Sequence, residues 1–117
     1  MKEIEIIIDQ KSAVVGSDIV GTVTINYDGR FDGVQVNTYI TGSNDQMHFT
    51  NVDGKKISLF ARLYVDKGTI GEKKSFRFAA RVEQSSQKKA NVRFRAAMIQ
   101  EHKEVASDTV FLPLYAE

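Results

Sequence analysis

Apolar and polar residues alternate along most of this chain with a period of two, the repeat of an extended strand with one buried face. Ile4, Ile6 and Ile8 oppose Glu3, Glu5 and Ile7, which predicts a first strand over 2–9. Ile19, Gly21, Val23, Ile25 and Tyr27 oppose Val20, Thr22 and Thr24, which predicts a second over 19–27. Val34, Val36, Thr38 and Ile40 alternate with Gln35, Asn37, Tyr39 and Thr41 over 33–41, at hairpin distance from the second. A short strand follows over 46–52. A longer one is predicted over 56–65, with Ile57, Leu59, Ala61, Leu63 and Val65 inward and Ser58, Phe60, Arg62 and Tyr64 outward. Phe76, Phe78, Ala80 and Val82 form the inward row of 74–82, with Ser75, Arg77 and Arg81 outward. Val92, Phe94, Ala96 and Met98 do the same over 90–100, with Arg93 and Arg95 outward. Val110, Leu112 and Leu114 alternate with Thr109 and Phe111 in the last strand, 104–115.

Turn formers punctuate these runs. Gly16-Ser17-Asp18 precedes the second strand and Asp28-Gly29 follows it. Asp53-Gly54 between 46–52 and 56–65 is the clearest hairpin signal, because Asp-Gly supplies the positive φ values of a tight turn. Residues 66–72 and 84–89 read as loops, and 101–103 turn the chain. Gly21 stands inside a strand pattern, which implies a bulge or the close approach of another backbone. The stretch 93–106 fits both periods; strict alternation through Val92-Arg93-Phe94-Arg95-Ala96 and the all-β surroundings favour strand over helix. Pro113 cannot donate to a ladder and marks an edge or an unpaired end. Roughly seven to nine short strands imply an all-β, immunoglobulin-like sandwich of two antiparallel sheets. Its expected core contains Ile6, Val23, Ile25, Val36, Leu59, Leu63, Phe76, Phe78 and Phe94.

The 117 residues suit one domain, 1–117, with a core large enough to need no metal or disulfide staple. Cysteine is absent, which excludes disulfides, thiolate nucleophiles and cysteine metal sites, and fits a reducing compartment. Sixteen Lys+Arg against fifteen Asp+Glu argue against a dedicated nucleic-acid binder. The acids of Met1-Lys2-Glu3-Ile4-Glu5 interrupt any signal-peptide core, and no apolar run approaches the ~18 residues of a membrane span. The expectation is a cytoplasmic protein.

Val15-Gly16-Ser17-Asp18-Ile19-Val20-Gly21-Thr22-Val23 resembles the arrestin pattern of an apolar residue, a Gly-polar-acidic turn and a strand with an internal glycine. Residues 31–42 are similar to the next arrestin strand, which ends in a glycine, here Gly42. Phe76-Arg77-Phe78-Ala79-Ala80 and Val92-Arg93-Phe94-Arg95-Ala96 resemble the family's paired later strands, joined here by a loop without the usual proline. The resemblance spans roughly residues 4–100 and implies a single amino-terminal-type arrestin sandwich. Relatives include arrestins, the arrestin-like subunit of retromer and prokaryotic sporulation-control proteins. It implies a non-enzymatic adaptor or scaffold in sorting or signalling. Arrestins carry two sandwiches, so the interdomain polar core and groove do not transfer, and no functional residue carries over.

Candidate chemistry is sparse. His48 and His102 lack metal-motif spacing, and no activity is expected to depend on either. There is no Gly-x-Ser-x-Gly elbow, and Gly68–Ser75 lacks the spacing of a phosphate loop. Asp45, Asp53 and Asp66 fall in separate loops without the alternation of a calcium loop. No cofactor and no metal site are expected. Arg62, Arg77, Arg93 and Arg95 lie on outward faces; on neighbouring strands they would form a basic stripe for an anionic partner, or a solvated face paired with acids. Phe60, Tyr64 and Tyr39 are outward aromatics, which fits a covering partner or element, or two sheets whose inside and outside assignment is irregular. A protein partner, or a homodimer through a strand edge, follows as an expectation. The competing reading is an enzyme, or a carbohydrate- or anion-binding module, framed on a sandwich.

Overall fold

The computed structural model describes residues 2–116. Ten strands form in chain order: β1 (Ile4–Ile8), β2 (Ala13–Val14), β3 (Ile19–Ile25), β4 (Gly33–Ile40), β5 (Met47–Val52), β6 (Lys55–Phe60), β7 (Arg62–Asp66), β8 (Ser75–Val82), β9 (Lys89–Gln100) and β10 (Lys103–Tyr115). One four-residue helix, α1 (Lys67–Ile70), interrupts the loop expected after β7. Asp66 caps it, its carboxylate accepting from the Thr69 N–H at 2.7 Å, and Gly71 ends it at φ 67°. The strands build two five-stranded sheets, ordered β1-β3-β8-β5-β6 (sheet A) and β2-β10-β9-β4-β7 (sheet B). All pairings are antiparallel except the short β2–β10 contact. The chain is therefore an all-β two-sheet sandwich. The stretch 93–106 is strand: it belongs to β9, a turn at Glu101 and His102 with φ 50° and 67°, and β10.

The inward rows meet between the sheets as the alternation requires. Ile6, Val23, Ile25, Val36, Leu63, Phe76, Phe78 and Phe94 are all buried. Phe78 joins the layers, its ring 5.6 Å from Phe49 and 5.8 Å from Phe94 of the opposite sheet. Gly21 is not a bulge, since β3 pairs through it without a register shift. A Cβ there would lie 2.5 Å from Phe78 Cζ and 2.9 Å from Ile8 Cδ1, so side chains, and no backbone, occupy its space.

The structure corrects three expectations about these strands. The strand predicted over 56–65 breaks at Ala61, whose φ of 68° turns the chain from sheet A to sheet B. The Ala61 N–H bonds the Met47 carbonyl of sheet A at 2.8 Å, and its carbonyl accepts from the Thr38 N–H and hydroxyl of sheet B at 3.0 and 2.7 Å. These three bonds hold an alanine in a region that costs about 1–2 kcal/mol. Ala61→Val crowds that conformation further and is expected to lower stability by about 1–3 kcal/mol, read as a lower chemical-denaturation midpoint. Leu59 precedes the switch on the sandwich's open side and is 44% exposed, so it leaves the core. β3 and β4 do not form a hairpin; the segment with Asp28-Gly29 crosses between sheets. Pro113 sits within β10, opposite Asn91, just before β2 joins that edge.

The two sides of the sandwich differ. On the β1/β10 side, Asp108 reaches across from β10 and accepts the Ile6 N–H at 3.0 Å and the Lys2 ammonium at 3.0 Å. Burial raises the Asp108 pKa, but the Ile6 amide and the Lys2 charge outweigh it and hold it below the ordinary carboxylate value. A depressed native pKa stabilises the fold above the unfolded-state value and is lost as pH falls. Asp108→Ala should cost about 2 kcal/mol at pH 7. The gap between wild type and variant should close as the pH drops through about 4 and below, which denaturation midpoints from pH 7 to pH 3 would test. On the β6/β7 side the seam stays open, a groove of about 210 Å³ between Ile57, Leu59 and Val52 on one sheet and Leu63 and Val65 on the other.

Candidate protein-binding face

The outer face of sheet B collects most of the outward residues singled out in the sequence. Its rows follow from register. Phe111 of β10, Arg93 of β9 and Tyr39 of β4 lie side by side. The next row runs Thr109, Arg95, Asn37 and Arg62, and the next Ser107, Ala97, Gln35 and Tyr64. The Arg93 guanidinium lies 5.6 Å from the Tyr39 ring centroid, a cation–π contact, and Lys89 stands 5.9 Å from that of Tyr115. Tyr39, Tyr64, Phe111 and Tyr115 are 52%, 50%, 65% and 41% exposed, so four aromatics present themselves on one face. The Tyr64 ring lies over Gly33, where a Cβ would meet its hydroxyl at 2.4 Å. Burial, with Asp32 and Asp66 nearby, raises the Tyr64 pKa.

The predicted stripe of four arginines is a group of three. Arg62, Arg93 and Arg95 share this face; Arg77 is on sheet A, where it bonds Thr22 at 3.0 Å and Asp9 at 2.9 Å. The strands carrying Arg77 and Arg95 belong to opposite layers, which period-two alternation does not distinguish. Arg95 is held by Glu104 and by Ser107 at 3.1 Å; each raises or lowers the other's pKa in the direction that keeps both ionised, the hydrogen bond between them dominating. Arg62 and Arg93 have no carboxylate partner among the described residues. Arg93 Nε and Asn37 Oδ1 are buried without a hydrogen-bond partner among those residues. The face thus offers two guanidinium groups that lack a carboxylate partner among the described residues and stand beside aromatic rings, a surface suited to carboxylates on an extended or flat partner.

Phe60 is exposed as expected, but on the outer face of sheet A, because the switch at Ala61 puts it on the opposite side of the molecule from Tyr64. It stacks on His48, centroids 4.4 Å apart and planes 9° from parallel. His48 Nε2 lies 2.8 Å from Ser58 Oγ and its Nδ1 bonds the Glu83 carboxylate. The His48 hydrogen bond is the main cause that lowers the Glu83 pKa. Sequence reasoning missed this Ser58–His48–Glu83 chain, because its members come from β6, from β5 and from the residue after β8, which only the fold brings together. It also missed Phe111 and Tyr115 as companions of Tyr39; their outward position was legible from the alternation, their adjacency to β4 through β9 was not. His102 lies in the β9–β10 turn, away from this chain.

No protein-family model matches the chain, and no curated protein sequence matches it. Among solved structures it is similar to a conjugative transposon lipoprotein from Bacteroides eggerthii, at TM-score 0.56 and 8% identity over 96% of each chain. It is also similar to the self-complemented major subunit of Myf fimbriae from Yersinia enterocolitica, at TM-score 0.51 and 12% identity over 97% of this chain and 98% of that one. A lipoprotein from Bacteroides thetaiotaomicron matches at TM-score 0.50 and 13% identity, over 97% of this chain and 80% of that one. At such identities the likeness is one of fold alone, that of a two-sheet β-sandwich.

Proposed function

We propose that this chain is a protein-binding adaptor module that presents the outer face of sheet B to an acidic partner. The observation that carries the reading is the row Phe111–Arg93–Tyr39 with Arg62 beside it: exposed aromatics interleaved with guanidinium groups that no carboxylate among the described residues engages. Large amphipathic rings and arginines are the residue types that dominate protein interfaces. The adaptor class is what the arrestin resemblance implies, and nothing in this reading asks the chain for chemistry. Acidic peptides, with and without an aromatic residue, titrated into isotopically labelled protein would test it. Shifts are expected on β4, β7, β9 and β10, weakened by salt. Arg62→Ala with Arg93→Ala should reduce affinity by about tenfold or more with folding retained. Shifts confined to other surfaces, or unchanged affinity in the double variant, would refute the proposal.

A second reading, an enzyme framed on the sandwich, has one observation in its favour, the Ser58–His48–Glu83 chain. Its order is that of a nucleophilic relay: Ser58 Oγ would attack an acyl carbon, its proton passing to His48 Nε2 and on to the leaving group. Reaction with a fluorophosphonate, read by mass spectrometry, separates the two readings. A label on Ser58 that His48→Ala abolishes supports the enzyme; an unlabelled Ser58 leaves the chain as a structural clasp on β6.

A further inference from the structure

We infer that two copies of this chain pair antiparallel through the free edge of β6, about a two-fold axis at Ser58, and join their A sheets into one. The argument starts from which edges are open. Sheet A ends in β1 and β6. β1 is blocked, because Asp108 of its own chain takes the Ile6 N–H. Among the described residues, β6 has a neighbour on the β5 side only.

The hydrogen-bonding direction of β6 follows from its two ends. Asp53 and Gly54, both at positive φ, form a two-residue turn that makes Val52 and Lys55 the bonded pair. At the other end the Ala61 N–H bonds Met47, so Phe60 and His48 face each other without exchanging bonds. The ladder shifts register between Phe49 and Asn51, but Lys55 and Leu59 at its two ends both point their backbone groups at β5 and are an even number of residues apart, so those of Lys56, Ser58 and Phe60 point to solvent. A second strand can bond only to these three residues.

Side chains then select the register. Directly opposed residues share a face, so outward residues must oppose outward ones. With Ser58 opposite Ser58, Phe60 meets Lys56 of the second copy on the outer face, and Leu59 meets Ile57 of the second copy on the inner one. The inner pairs extend the apolar seam already lined by Val52, Leu63 and Val65, and they cover Leu59, 44% exposed in one copy. On the outer face Lys56 of the second copy arrives over Phe60, at a concavity of about 540 Å³ that also holds Asp45 and Glu83. Hydrogen bonds from Ser43 and Ser86 to Asp45, and from His48 to Glu83, lower both pKa values and keep these acids charged. Shifting the register by two residues toward Lys55 would put Lys55 against Leu59 and lose both matches. The lysine pair that discourages pairing with arbitrary strands thus complements the far end of its own strand, and the contact is self-complementary and closed.

The chain has no cysteine, so a single introduced one reads the register directly. Sedimentation across a concentration range should show a monomer–dimer equilibrium. Ser58→Pro removes the solvent-facing N–H together with the hydroxyl that contacts His48, and it should shift the dimer midpoint upward by about tenfold or more, with the circular dichroism spectrum retained; Ser58→Ala, which removes the hydroxyl alone, should leave the midpoint unchanged. Under mild oxidation Ser58→Cys, at the axis, should form a disulfide-linked dimer, whereas Lys56→Cys, which faces Phe60 of the other copy, should not. A monomer at all concentrations overturns the inference. So does a dimer in which Ser58→Cys and Lys56→Cys cross-link equally, an outcome that decides the matter even if Ser58→Pro fails to fold.

Discussion

Phe78→Ala is expected to destabilise the sandwich by about 3–5 kcal/mol, the range for emptying a large buried aromatic site. The ring is 2% exposed and belongs to β8, a strand flanked on both sides within sheet A. It touches Phe49 in its own sheet and Phe94 across the layers, and it fills the space that Gly21 leaves beneath it. Central strands with partners on both sides relax least around a void, so the cost belongs near the upper end. A domain of this size holds a net stability of about 5–15 kcal/mol, so a loss of this order lowers the thermal midpoint by roughly 10–20 °C. Phe60→Ala is the internal comparison. The same residue type, 55% exposed and in contact with a histidine ring, should cost about 1 kcal/mol or less. Denaturant titrations with unchanged slope would read both. Similar losses for the two variants would mean that the burial assigned to Phe78 is wrong.

Much of this contrast is legible in the sequence, because period-two alternation assigns faces and Phe78 sits in the middle of an unbroken inward row. Alternation reports which side of a strand is apolar and does not report which sheet the strand joins. That is why the alternation groups Arg77 with Arg93 and Arg95, although β8 and β9 lie in different layers. It is also why β3 and β4 looked like a hairpin. The break at Ala61 left no mark in the sequence: alanine fits a strand, and the positive φ is imposed by bonds to Met47 and Thr38, both remote in the chain. Once the chain turns there, the inward side of β6 lies at an open seam while that of β7 lies in the core. The same alternation that placed Leu63 correctly therefore misplaced Leu59. The face carrying Tyr39, Phe111 and Arg93 was readable strand by strand, and its assembly waited on the order β10-β9-β4. The short helix α1 had its signals in place, Asp66 before it and Gly71 after it, but four residues are too few for a helical period to emerge.

Gly21→Val should be the second severe substitution, costing about 3 kcal/mol, and Gly21→Ala about 1–3 kcal/mol, through overpacking. The glycine's φ is unremarkable for a strand, so backbone freedom is not what the position needs. It needs room: Phe78 Cζ and Cε2 stand 2.5 and 2.7 Å from where a Cβ would be, and Ile8 Cδ1 stands at 2.9 Å. Gly21 opposes Phe78 on one side and Ile8 on the other, so neither neighbour can tilt away without disturbing the row beyond it. A small residue on a central strand thus lets a large one on the next strand lie flat and reach Phe94 across the core. The two positions should be strongly coupled. Phe78→Leu alone should cost about 1–1.5 kcal/mol, as a modest change of shape and volume. Combined with Gly21→Ala it should cost less than the sum of the two, by about 1 kcal/mol, because the shorter side chain clears the space the methyl enters. Additive losses in this double-mutant cycle would show that Gly21 is required for a reason other than the Phe78 ring.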